Sequence, residues 1–201
     1  RRFTNAAFLV GYREYFFDGA MKKILAITNQ KGGVGKTTTS VNLAASLAAT
    51  KQRVLLIDLD PQGNATMGSG VDKRTLQRTV YHVLLGEADI REARVSSTTG
   101  KYDVVPANRE LAGAEIELVD VEHRETRLKN ALDTIESEYD YVLIDCPPSL
   151  GLLTLNAFAA ADSVLVPLQP EPFAARGVTK LEDVVARVQK RLNPKLRISA
   201  V

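Results

Sequence analysis

Gln30 to Thr38 reads Gln-Lys-Gly-Gly-Val-Gly-Lys-Thr-Thr, a run in which a lysine and a threonine follow three closely spaced glycines. Glycine reaches backbone angles closed to other residues, and without Cβ atoms several N–H groups can converge on one anion. Lys36 supplies a point charge suited to β- and γ-phosphates, and the Thr37 hydroxyl suits Mg²⁺. Against the spacing G-x-x-x-x-G-K-[ST], Gln30 stands where the first glycine falls, and a second lysine, Lys31, lies just inside the loop. Lys36 already serves the phosphates, so Lys31 at the loop's mouth is better explained as serving another chain; a simple solvated lysine is the alternative.

Two acidic clusters accompany the loop. The apolar run Val54 to Ile57 ends in Asp58-Leu59-Asp60-Pro61-Gln62-Gly63, and Tyr141 to Ile144 ends in Asp145-Cys146-Pro147-Pro148. In open α/β sheets ligands bind at the strand ends. A lone aspartate after a strand is more often a helix cap than a metal ligand. Three polar clusters at strand ends, one of them a phosphate loop, read together as a nucleotide-hydrolysing site with Asp145 as the Walker-B carboxylate that holds Mg²⁺ or its water shell.

These residues need strands to present them. Apolar or β-branched runs predict strands near 23–29, 53–58, 103–106, 141–145, 163–167 and 196–201, and helical patterns fall near 36–50, 75–85, 110–118, 123–137, 151–160 and 175–192. Such alternation predicts an α/β fold, a mostly parallel central sheet with helices on both faces. Residues 61–75, with Gly63, Gly68 and Gly70, read as a mobile switch segment after the second strand. Pro167 to Phe173 reads as a rigid, proline-punctuated loop.

Four segments carry a family resemblance: Asn29 to Thr38 (NQKGGVGKTT), Asp58 to Thr66 (DLDPQGNAT), Leu111 to Leu118 (LAGAEIEL) and Asp140 to Leu155 (DYVLIDCPPSLGLLTL). Together they resemble the ParA/Soj chromosome- and plasmid-partitioning ATPases of the deviant Walker A P-loop NTPase class, from Met21 to Val201. The resemblance implies ATP and Mg²⁺ as ligands, with Lys31, Gly32, Gly33, Val34, Gly35, Lys36, Thr37 and Thr38 as the nucleotide-binding set. It implies Asp60, Lys31 and Lys36 as catalytic residues: Asp60 positions the attacking water and Lys31 reaches the partner's phosphates. It implies Thr37, Asp60 and Asp145 around the metal. It further implies a homodimer formed on ATP binding, non-specific DNA as a partner, slow hydrolysis stimulated by a ParB-type protein, and a cytoplasmic, nucleoid-associated location.

The segment DLDPQGNAT favours partitioning over a MinD-like membrane-cycling or other cargo-positioning ATPase, and the retained Lys36, Thr37, Asp60 and Asp145 argue against a nucleotide-bound scaffold without turnover. A length of 201 residues suits one domain, and the net charge of +2 makes no global case for nucleic acid. Locally, Arg176, Lys180, Arg187, Lys190, Arg191, Lys195 and Arg197 face only Glu182 and Asp183, which reads either as a phosphate-tracking patch or as a solvated helix face. The lone Cys146 reads as a packing residue in a reducing compartment and does not supply the two ligands of a cluster-carrying ATPase. No apolar run reaches transmembrane length. Residues 1–20 hold half of the Phe and Tyr residues and lie outside the resemblance, so they read as an upstream extension, artefactual or disordered, with a packing or membrane-touching arm as the alternative. Arg197 to Val201 reads as the opening of another strand. The expected domain, 21–201, is therefore C-terminally incomplete, with most of the DNA-contacting surface beyond it.

Overall fold

A computed structural model describes residues 23–168 and 174–200. The expected arm at residues 1–20 lies outside them, as do residues 169–173 of the proline-punctuated loop and Val201.

Among the described residues, seven strands form one sheet in the order β3-β4-β2-β5-β1-β6-β7. These are β1 (Lys23–Ile27), β2 (Val54–Asp58), β3 (Val95–Ser96), β4 (Asp103–Val105), β5 (Tyr141–Asp145), β6 (Ser163–Leu165) and β7 (Arg197–Ala200). Every pairing is parallel except β3 with β4. The central strands β1, β2 and β5 are nearly continuous apolar runs, broken only at their ends by Lys23, Asp58 and Asp145, because both faces are covered, and the period of two decides which side each residue serves. Leu25, Ile27, Leu56 and Leu143 pack under α1 (Lys36–Ala49) and α2 (Asn64–Gly68). Ile24, Ala26, Ile57 and Ile144 pack on the other face, against α3 (Val80–Leu85), α4 (Ile90–Ala93), α5 (Leu111–Glu117), α6 (Arg127–Asp133), α7 (Leu152–Ala160) and α8 (Ala174–Arg191). The expected α/β layering is therefore the observed one.

Helix α1 shows why the loop before it is held firmly. Ser40, Leu43, Ala44, Leu47 and Ala48 recur at helical spacing and are all buried, so the helix lies flat on the sheet. Register then fixes the strand ends: Ile27 pairs with Asp145, and Asp145 with Asp58, in one row across β1, β5 and β2.

Several boundaries differ from the sequence expectation. Helix α3 begins at Val80 rather than 75, because Thr79 and His82 form a reciprocal cap there. Helix α6 covers only part of 123–137, since His123 takes a left-handed φ of 57° just before it. Helix α4 and strand β3 escape periodicity by their shortness; the capping-box pair Asp89 and Glu92 marks α4. The segment 61–75, read as a mobile switch, contains α2, whose Thr66 is hydrogen-bonded to the buried Asp58.

Candidate functional site

The loop after β1 is tied at its base by Asn29, whose amide donates to the Pro167 carbonyl at 2.8 Å and whose Oδ1 accepts the Lys31 N–H at 2.9 Å. Gly33 and Gly35 take φ values of 75° and 92°, where a side chain would be strained. A Cβ built on Gly32, Gly33 or Gly35 would meet no atom of the described residues within 4 Å, so among them open space lies in front of the loop. Gly35 is also the N-cap of α1 and provides no side-chain cap, leaving the helix's first N–H groups and its positive dipole end directed at that space. Here backbone donors converge without side-chain competition, which suits a phosphate chain.

Side chains complete the site. Lys36 is buried, and its ammonium folds back to donate to the Lys31 carbonyl at 3.2 Å. The Thr37 hydroxyl donates to Asp145 Oδ2 at 2.8 Å, and the Ser40 hydroxyl donates to Asp145 Oδ1 at 2.8 Å. Both oxygens of Asp145 are thus engaged by hydroxyls from α1, an arrangement that orients Thr37 and suits a carboxylate acting through water rather than by direct contact with a cation. Burial pushes the Asp145 carboxyl up to about 6 against the lowering effect of those hydroxyls, with the Asp60 charge adding to the rise. Asp58, fully buried, is pushed up to about 7, first by burial and then by the Asp145 charge. The Asp145 charge thus acts on Asp58, and the Asp60 charge on Asp145, so negative charge gathers beside the phosphate cradle, where a divalent cation would offset it.

The remaining expected residues divide between the cradle and its rim. Val34 is buried beneath the loop, Thr38 is exposed on the first turn of α1, and Lys31 is exposed at the mouth. Asp60 is half-buried, and its Oδ1 accepts the Gln62 N–H at 2.9 Å. Asn29, Ser40 and Asp58 were not among the expected site residues. Ser40 carries a signal in its spacing, one helical turn after Lys36 and Thr37.

Away from the loop, along α8, Leu181, Val185 and Val188 are buried, while Lys180, Arg187, Lys190 and Arg191 are exposed. Cys146 is buried against the Ile144 carbonyl, as a packing residue would be. A cavity of about 400 Å³ lies at the opposite sheet edge, lined by Arg53, Arg94, Lys101, Asp103 and Glu138 among others. Its arginines are paired with carboxylates, so the chemistry is assigned to the loop edge. Among the described residues no helix is long and apolar enough to cross a membrane.

A protein-family model described as an AAA domain matches residues 22–198. The chain is 55% identical over 181 residues to the sporulation initiation inhibitor protein Soj of Bacillus subtilis, covering 90% of this chain and 72% of Soj. It is 52% identical to the chromosome partitioning protein ParA of Caulobacter vibrioides, covering 89% of this chain and 68% of that protein. Among solved structures, cobyrinic acid a,c-diamide synthase from Mycobacterium smegmatis, bound to ADP and magnesium, superposes with a TM-score of 0.86 at 46% identity, over 90% of this chain and 74% of that one.

Proposed function

The chain belongs to the ParA/Soj family of P-loop ATPases, and from that premise we propose that it hydrolyses ATP to ADP and phosphate with Mg²⁺ to drive DNA partitioning, acting as an ATP-bound dimer. The observation that carries this reading is the alignment of Lys36, Thr37 and Asp145 beside a glycine loop with open space before it.

In this reading the N–H groups of residues 32–38 hold the phosphates, and Lys36 leaves the Lys31 carbonyl to reach the β- and γ-oxygens. Mg²⁺, when bound, neutralises charge developing on the transferred phosphoryl group. Thr37 would contact it directly, with Asp145 and Asp60 holding its water shell. Asp60 orients the attacking water: one of its oxygens accepts the Gln62 N–H, and among the described residues the other is left for that task. Because phosphoryl transfer depends on charge stabilisation, a site lacking one cation turns over slowly until another chain supplies it. Lys31, exposed at the mouth, is the cation offered to the partner protomer's phosphates. The exposed cations of α8 contribute to non-specific DNA affinity, and a ParB-type protein stimulates turnover.

The test is retention on non-specific duplex DNA with ATP or ADP, measured alongside phosphate release. ATP-dependent retention that weakens steeply with salt supports partitioning. An ATP dimer indifferent to DNA would favour a membrane or protein cargo instead. A second reading, synthase chemistry on an organic acid, rests on the Mycobacterium smegmatis likeness and shares the phosphate site. It requires a further substrate, so sustained ATP turnover without one counts against it.

A further inference from the structure

Thr66 sits eight residues after Asp58, on α2, yet its backbone N–H and its hydroxyl both donate to Asp58 Oδ2, each at 2.8 Å. The other oxygen of Asp58 accepts the Asp60 N–H at 3.1 Å. A threonine hydroxyl can donate once and accept twice, and here it also accepts the Ala107 N–H at 2.9 Å, from the chain just beyond β4. Asp58, Thr66 and Ala107 are all fully buried. Gly63 presses on the same point: it takes a φ of 65°, and a Cβ there would lie 2.8 Å from the Ala107 carbonyl. One carboxylate therefore fastens both ends of a loop that carries Asp60, and one hydroxyl fastens that loop to the neighbouring strand end.

We propose that Thr66 is a positioning residue for ATP hydrolysis, its hydroxyl closing the loop 58–66 onto Asp58 and Ala107 so that Asp60 is held where water must be oriented. The proposal rests on the hydrolase reading above and adds to it a residue that touches neither nucleotide nor metal. The phosphate cradle is built from a different segment, 29–37, so loosening this loop alters turnover and spares nucleotide binding. A misplacement on the order of 1 Å can cost about 100-fold in rate, and a partly held loop less.

The experiment is steady-state ATP hydrolysis with Mg²⁺ by the wild type, Thr66→Val and Thr66→Ser. Thr66→Val keeps the side-chain shape and removes the hydroxyl; its kcat is expected to fall about tenfold, with KM for ATP within about twofold of wild type. Thr66→Ser keeps the hydroxyl and is expected to recover most of that loss. Wild-type kcat in Thr66→Val overturns the positioning role while leaving the hydrolase reading intact. A matched loss of kcat and ATP affinity that Thr66→Ser does not rescue also overturns it, as a purely structural role would predict. A wild type that binds ATP and never turns it over removes the hydrolase reading itself, and this proposal with it. Amide exchange on the wild type supplies a check independent of any variant's folding: slow exchange at Thr66 and Ala107 supports the closed loop, and fast exchange overturns it.

Discussion

At the amino-terminal edge of the sheet Arg53 lies 2.6 Å from Asp140, and Arg94 lies 2.7 Å from Glu138; at the carboxyl-terminal edge, among the described residues, Lys36 donates to a carbonyl and Asp145 accepts from hydroxyls, and the two feel each other's charge without a direct ion pair. The first edge satisfies itself. Arg94 also meets the Tyr139 hydroxyl at 2.7 Å, and that hydroxyl donates to Asp103 at 2.8 Å, so charge and polarity close into a network. The second edge does not close into such a network among the described residues, and the backbone there is held by Asn29, Gly33 and Gly35 in a shape with none of the described residues' atoms within 4 Å of the glycines' open side. A cavity lined by paired charges is thus a weaker sign of chemistry than an open loop whose lysine, among the described residues, hydrogen-bonds to a carbonyl rather than to a carboxylate.

That contrast can be broken from either side. The largest effect is expected at Lys36: Lys36→Ala should lower ATP affinity by more than about 100-fold in titrations with a fluorescent ATP analogue, because the loop's other lysine, Lys31, is exposed at the mouth rather than buried at the cradle. Unchanged affinity would reject the phosphate-loop assignment. Lys31→Ala comes next and sharpens the account of the rim. It should leave nucleotide affinity of the monomer within about threefold, yet lower turnover about tenfold and weaken ATP-driven dimerisation. A variant that dimerises normally would return Lys31 to the status of a solvated side chain. The smallest effect belongs to the self-satisfied edge: Arg94→Ala should lower Tm by roughly 2–4 °C and leave ATP affinity within about twofold, since partly exposed ion pairs contribute little. A large loss of nucleotide binding in Arg94→Ala would mean that the two edges communicate.

Much of this arrangement is legible in the sequence, and the gaps have physical causes. The buried strands β1, β2 and β5 announce themselves as apolar runs, Lys36 and Thr37 by the spacing of the glycine loop, and Asp60 and Asp145 by their places at or just beyond the strand ends. Ser40 and Asn29 are less visible because serine and asparagine are common on helices and in turns for local reasons. Their roles depend on contacts more than 100 residues away in sequence, with Asp145 and Pro167. Thr66 was hidden for the same reason. The glycines around it suggest looseness, whereas the Asp58 carboxylate, folded under the loop, supplies order that no local pattern encodes. Helix α4 was missed through its four-residue length, although its capping pair was readable.

Light scattering of the Asp60→Ala protein with Mg²⁺ and either ATP or ADP tests the central claim most directly, because removing the carboxylate proposed to orient water should leave binding intact while halting the cycle after ATP is engaged. The account predicts a monomer with ADP and a doubled mass with ATP, stable over hours. A mass that is the same with either nucleotide, or ATP turnover at the wild-type rate, would contradict it.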